Sequence, residues 1–264
     1  MSRIGERFAA LRVRGEGALI PFLVAGDPTP ALSLEAARAV AEAGADVLEL
    51  GIPFSDPLAD GKVNEQAYRR ALEHGVFIPE VLALARGVRE RTQVPLVLMT
   101  YYNPVLQYGL ERFADEAAAA GVDGVLVTDL PPEEAAPWQA AARAAGLDTI
   151  FLAAPTSTAS RLEAVAGAGS GFVYCVSRTG VTGARADLPD GLEGMLAEVR
   201  RHTSLPRAVG FGISSPEQVR AVCRLAEGAV VGSALVRLLA ESGDRGPAQV
   251  AEFVRSLKAT AKEG

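Results

Sequence analysis

The sequence predicts a closed parallel (β/α)8 barrel preceded by an extra N-terminal helix. Three observations carry this reading. Eight short apolar runs with strand character alternate with helical segments, and 264 residues with 49% hydrophobic content suit one large α/β domain. No unit carries the G-x-G-x-x-G fingerprint that an open doubly wound sheet places after its first strand. No linker or low-complexity segment divides the chain, so residues 1–264 read as a single barrel domain of the TIM barrel class.

Residues 2–11 place Ile4, Phe8 and Leu11 at helical spacing among charges, an amphipathic helix suited to plugging one end of a larger structure. The first strand, 18–25, ends at Gly26-Asp27-Pro28, where Thr29 offers an N-cap and Pro30 a first-turn residue for a helix to about residue 43. The second strand, 45–50, carries Glu49 near its end and opens into a Pro/Gly/Asp-rich loop. Helices follow at about 64–73 and 79–91, with His74-Gly75 as the stop between them. Next come strand 95–100, an aromatic loop at 101–109, helix 110–120, strand 124–128, helix 133–145, strand 149–153 and helix 159–168. Strand 171–176, helix 191–202, strand 207–210, helix 216–225, strand 229–232 and a helical C-terminal segment complete the eight units. Short strands alternating with helices imply parallel pairing.

Composition narrows the partners. The 26 basic and 32 acidic residues, net charge −6, are spread without long runs, so no basic stripe points to nucleic acid or an anionic membrane. No run approaches the ~20 apolar residues that cross a bilayer, and the N-terminus has no apolar signal region. A cytoplasmic protein with a small-molecule ligand is expected. Cys175 and Cys223 give neither a disulfide framework nor a metal-ligand spacing and read as buried free thiols. Trp138 reads as core.

In this fold the strand C-terminal ends and the loops after them build the active site. Glu49 shares a strand face with Val47, and burial there would raise its pKa toward the range of a general acid or base. On spacing alone a second reading stands level: a rim carboxylate paired with an arginine, with Asp56-Pro57 and Asp60-Gly61 as ordinary turns. The remaining inventory favours chemistry. His74 and His202 fall near predicted helix C-termini, where the helix dipole explains them, and two scattered histidines build no zinc site, so no metal is expected. Lys62 lies in a loop and Lys258 and Lys262 in the charged tail, none at a strand end for a Schiff base. Proton transfer then falls to Glu49 and Asp60, while Asp56 beside Pro57 reads as a turn or an outward contact.

The loops at 177–185, 210–214 and 232–234 are glycine-bearing, and Ser233 opens a helix whose positive end favours an anion. Together they predict a phosphate cradle, and the missing Walker lysine argues against a nucleoside triphosphate. Phe22, Thr100, Leu126, Thr128, Leu152 and Tyr174 lie near strand ends and are candidates to line a mostly apolar pocket. The tyrosine-rich loop reads as a packed rim or as a partner contact.

The run Leu48-Glu49-Leu50-Gly51-Ile52-Pro53-Phe54-Ser55-Asp56-Pro57 followed by Ala59-Asp60-Gly61, with Pro21-Phe22-Leu23-Val24-Ala25-Gly26-Asp27-Pro28 and Gly210-Phe211-Gly212-Ile213, resembles the tryptophan synthase alpha-subunit family over essentially the whole chain. The resemblance implies a (β/α)8 barrel that cleaves indole-3-glycerol phosphate to indole and glyceraldehyde 3-phosphate, with no cofactor of its own. It also implies a pyridoxal-phosphate beta subunit as partner, in an alpha2-beta2 heterotetramer, with indole passing through a tunnel. By the same resemblance Glu49 is the general acid/base, Asp60 accepts the indole N–H, and Gly183, Gly212, Gly232 and Ser233 hold the phosphate. Phe22, Thr100, Tyr174, Thr182 and Phe211 belong to the pocket or its lid. Pro53, Asp56, Pro57, Tyr102 and Asn103 would face the beta subunit. The glycines of 178–188 predict a lid whose Thr182 approaches Asp60 on closure. Two rival readings are another phosphate-binding barrel enzyme, such as a sugar-phosphate epimerase or an isomerase or synthase of the same pathway, and a non-catalytic binding subunit. The presence of both carboxylates in this loop weighs against each.

Overall fold

In the computed structural model, which describes residues 2–176, 190–210 and 212–261, eight parallel strands close into a barrel in sequential order. They are β1 (Ala18–Val24), β2 (Leu48–Gly51), β3 (Leu96–Thr100), β4 (Gly124–Val127), β5 (Asp148–Ala153), β6 (Val173–Val176), β7 (Arg207–Gly210) and β8 (Gly228–Val231). Pairing of β1 with β8, Ala18 opposite Gly228 and Pro21 opposite Val231, closes the ring. The helices before β4 are α1 (Arg3–Arg14), α2 (Pro30–Glu42), α3 (Lys62–Glu73), α4 (Ile78–Arg89), α5 (Tyr102–Tyr108) and α6 (Leu110–Ala119). Those after it are α7 (Ala136–Ala144), α8 (Ala159–Ala168), α9 (Leu192–His202), α10 (Pro216–Cys223), α11 (Ser233–Glu241) and α12 (Gly246–Ala261). Nearly every strand residue is buried, as expected where one face fills the barrel and the other meets the helices.

Local chemistry sets the element ends. Thr29 accepts a hydrogen bond from the Leu32 N–H at 3.3 Å and Pro30 takes the first turn of α2, as the sequence predicts. His74 caps α3, and Gly75 at φ 72° turns the chain away. The N-terminal helix is the expected plug. Ile4 fills the space that Gly124 leaves at the start of β4, where an added Cβ would come within 2.9 Å of Ile4 Cδ1. Phe8 packs on Phe172 with ring centroids 5.8 Å apart, and Arg3 pairs with Asp123 at 2.7 Å.

At this end of the barrel a carboxylate preceding one strand repeatedly accepts the first N–H groups of the strand before it. Asp46 accepts from Leu19, Asp123 from Leu96 and Glu227 from Arg207, at 2.8, 2.8 and 2.9 Å. Each carboxylate is also matched by a cation: Lys258 on Asp46 at 2.7 Å, Arg89 on Asp123 at 2.8 Å, and Arg207 on Glu227 at 2.7 Å. The arrangement satisfies backbone donors that strand pairing leaves over.

Four expectations are corrected. Lys258 does not lie in a solvated tail: α12 packs against α2, α10 and α11, and the lysine is buried with its ammonium on Asp46. The stretch 101–109 holds the helix α5, because Pro104 falls in its first turn, where a missing N–H costs nothing, and Asp129 accepts the Tyr102 N–H at 2.7 Å. α7 begins at Ala136, since 131–135 forms turns and Pro137 marks its first turn. Cys223 is half-buried where Cys175 is fully buried, although burial pushes both thiols up to about 12. Among the described residues no helix is long and apolar enough to cross a membrane, and no His/Cys/Asp/Glu group is arranged to hold a metal ion.

Candidate active site

Glu49 sits in β2, paired in register with Phe22 of β1 and Val97 of β3, and is 1% exposed. Neither of its carboxylate oxygens has a hydrogen-bond partner. Burial raises its pKa to about 8, with the nearby charge of Asp60 adding to the effect. A rim carboxylate paired with an arginine is therefore not what the chain builds here.

Asp60 lies in the loop between β2 and α3 and is differently supported. Tyr101 Oη donates to its Oδ2 at 2.6 Å and Asn64 Nδ2 to its Oδ1 at 2.9 Å. The buried Tyr68 hydroxyl lies close enough to favour the charged form, and with these two donors it opposes the upward pKa shift that burial imposes. Tyr101 also accepts the Ala59 N–H at 3.0 Å and packs on Phe54 with centroids 5.1 Å apart, so it pins the loop that carries Asp60. Arg70 of α3 grips Asp27 with both carboxylate oxygens engaged, at 2.7 and 3.1 Å, which ties that helix to the loop after β1.

Apolar groups complete the mouth. An added Cβ on Gly51 would meet Phe22 Cζ at 2.7 Å and Tyr68 Cε1 at 3.1 Å, so two rings converge beside Glu49. Tyr174 lies over Gly210, where a Cβ would meet its hydroxyl at 2.3 Å, and Phe22 borders Gly232 at 3.2 Å by the same measure. Thr100 is buried, its hydroxyl spent on the Tyr101 carbonyl at 3.3 Å. Ser233 is the first residue of α11, and Gly212 holds φ 86°, a left-handed conformation that excludes most side chains. Asp56 and Asn103 are exposed and Pro57 and Tyr102 partly so, whereas Pro53 is buried within this chain. Thr182, Gly183, Phe211 and the 178–188 segment expected to form a lid lie outside the described residues.

Sequence reasoning singled out Glu49 and Asp60 but not Asn64, Tyr68 and Tyr101, which the structure groups around Asp60. A signal existed: Asn64 and Tyr68 are spaced four apart on the helix that Asp60 introduces, and such pairs share a face. Tyr101, directly after β3, had been read only as part of an aromatic loop, a packed rim or a partner contact.

This constellation, a buried glutamate in a strand and a half-buried aspartate in the loop after it beside an apolar mouth, can be compared with known proteins. A family model described as "Tryptophan synthase alpha chain" matches residues 8–263. The chain belongs to the tryptophan synthase alpha family. Among the relatives, alpha chains of Citrifermentans bemidjiense and Roseiflexus castenholzii are each 52% identical, over 98% of this chain and 97% and 100% of their own lengths. Among solved structures, tryptophan synthase of Mycobacterium tuberculosis superposes with a TM-score of 0.93 at 39% identity, covering 100% of this chain and 99% of that one. Tryptophan synthase subunit alpha of Legionella pneumophila gives 0.92 at 34% identity, with both chains fully covered at 100%. As a tryptophan synthase alpha chain, the protein is an enzyme subunit that cleaves indole-3-glycerol phosphate to indole and glyceraldehyde 3-phosphate, and the family implies a beta-subunit partner that makes tryptophan.

Proposed function

We propose that Glu49 is the general acid/base of the cleavage and that ionised Asp60 stabilises the positive charge that develops on the indole nitrogen. The observation that carries this is the Glu49 carboxyl itself, buried without a partner and with its pKa raised to about 8, so that it holds its proton at neutral pH. Glu49 donates that proton to indole C3, which makes the ring an electron sink. The resulting Glu49 carboxylate then takes the proton from the hydroxyl on the adjoining side-chain carbon. The carbon–carbon bond breaks, its electrons restore the ring, and the aldehyde leaves as glyceraldehyde 3-phosphate. Glu49 ends protonated, as it began, and the step needs neither Schiff base nor metal.

In this reading Gly183, Gly212, Gly232 and Ser233 hold the phosphate at the open N-terminus of α11, while Phe22, Thr100, Tyr174, Thr182 and Phe211 enclose the indole. Thr182 reaches Asp60 when the 178–188 lid closes. The chain acts as one barrel domain in the cytoplasm, within an alpha2-beta2 heterotetramer whose beta subunit carries pyridoxal phosphate. Asp56, Pro57, Tyr102 and Asn103 meet that subunit, with Pro53 shaping the loop from beneath. Leu58 and Leu106, 85% and 48% exposed in the loop after β2 and in α5, support an apolar partner on this face.

The direct test is indole release from indole-3-glycerol phosphate by the purified chain, alone and with its beta subunit. Release that the partner accelerates supports the reading; no release in either case returns the argument to a non-catalytic subunit. A second expectation concerns the mouth. Gly210→Ala drives a methyl into the Tyr174 ring, and such overpacking costs about 1–3 kcal/mol. The variant is expected to lose about tenfold in kcat/KM for indole release, if ~1.4 kcal/mol of that strain falls on substrate binding. Unchanged kinetics and an unchanged melting temperature would remove Tyr174 from the pocket.

A further inference from the structure

Resting on the assignment of Glu49 and Asp60 above, we infer that Asn64 and Tyr68, one turn apart on α3, are positioning residues that, with Tyr101, hold Asp60 as the carboxylate and leave the proton of the pair on Glu49. The donors all fall on one side. Asp60 has Tyr101 Oη at 2.6 Å on one oxygen and Asn64 Nδ2 at 2.9 Å on the other, with the buried Tyr68 hydroxyl close enough to favour its charge, whereas Glu49 has no partner on either oxygen. Donors stabilise the charged form of their acceptor, and two interacting carboxyls titrate as a coupled pair. The uneven supply of donors therefore decides which member keeps the proton.

Asn64 shows the commitment of the helix to this task. Its amide nitrogen is on Asp60 while its Oδ1 is buried with no partner, so the side chain is held by Asp60 alone. The helix is in turn fixed by Arg70 on Asp27. Among the described residues the titratable groups facing the pair are Tyr68 of α3, Tyr101 at the end of β3 and Tyr174 of β6. Burial raises all three hydroxyls above their ordinary value, so they stay neutral where the enzyme works. The catalytic consequence is directional: a proton on Glu49 can reach indole C3, while a proton on Asp60 would cancel the charge that faces the ring nitrogen.

The test is the pH profile of kcat for indole release, measured with the beta subunit present, for the parent, Asn64→Leu, Tyr68→Phe and Glu49→Gln. Loss of a donor makes Asp60 harder to ionise. The acid limb is therefore expected to move up by about half a pH unit or more in both α3 variants, a loss about threefold greater on the acid limb than on the plateau, with the basic limb unmoved. A uniform loss at every pH, or an unmoved acid limb, overturns the inference. Tyr68→Phe keeps the ring and decides the matter if Asn64→Leu fails to fold. An inactive Glu49→Gln beside an unmoved limb counts against Asn64 and Tyr68 alone. An active Glu49→Gln removes the assignment on which they rest and overturns both.

Discussion

Glu49→Gln is expected to lower indole release by about 10²–10⁴-fold, the usual contribution of a positioned acid/base, while making the folded chain more stable at pH 8. The sign follows from the shift. The folded chain keeps the Glu49 proton up to about pH 8, whereas the ordinary value for glutamate is 4.5, so between those values the folded state binds more protons than the unfolded state. Stability from this group is fully present below pH 4.5 and is lost as pH rises toward 8. Gln removes that loss but buries an amide in its place, leaving a net gain of about 1–3 kcal/mol at pH 8 and about zero at pH 4.5. Thermal unfolding of parent and variant at the two pH values checks this beside the indole assay. An equal effect on melting temperature at both values would mean that Glu49 is not buried alone, and full activity would remove it from the chemistry.

The second large effect lies at the opposite end of the barrel. Lys258→Met is expected to destabilise the chain by about 3–5 kcal/mol, because removing one partner leaves the other charge buried without compensation. Asp46 would keep the Leu19 N–H at 2.8 Å but would lose the ammonium at 2.7 Å, and Arg7 stands off at 3.9 Å. A fall in melting temperature of about 10 °C follows for a domain of this size, with kcat for indole release unchanged in the protein that remains folded. A change under about 2 °C would show that Arg7 or water takes over the charge. The two substitutions thus separate stability at one end of the strands from chemistry at the other, in keeping with the division of labour of this barrel.

Much of this was legible in advance because the signals are local. Alternating apolar runs and helical faces mark the β/α units, and Thr29 with Pro30 and His74 with Gly75 mark helix ends, since each depends on bonds made within a few residues. Glu49 could be singled out as a carboxylate at the end of an apolar strand, and Asp60 as the survivor once histidine and lysine were accounted for. Where local cues misled, a distant partner was responsible. The proline and aromatics of 101–109 suggested a loop, and Asp129, beyond β4, supplies the acceptor for the first turn of a helix there.

By itself the sequence determined the order of the β/α units, the family to which the chain belongs, and the two carboxylates proposed to carry its chemistry. Only the tertiary structure decided their states. Closing the barrel brings Tyr101, just after β3, against a loop 41 residues earlier and Lys258 against an aspartate 212 residues away. Whether a carboxyl is paired, solvated or left alone depends on such neighbours, and the free energy of its charge depends on nothing else so strongly. That is why a carboxyl is ion-paired at Asp46, supported by donors at Asp60 and left without a partner at Glu49.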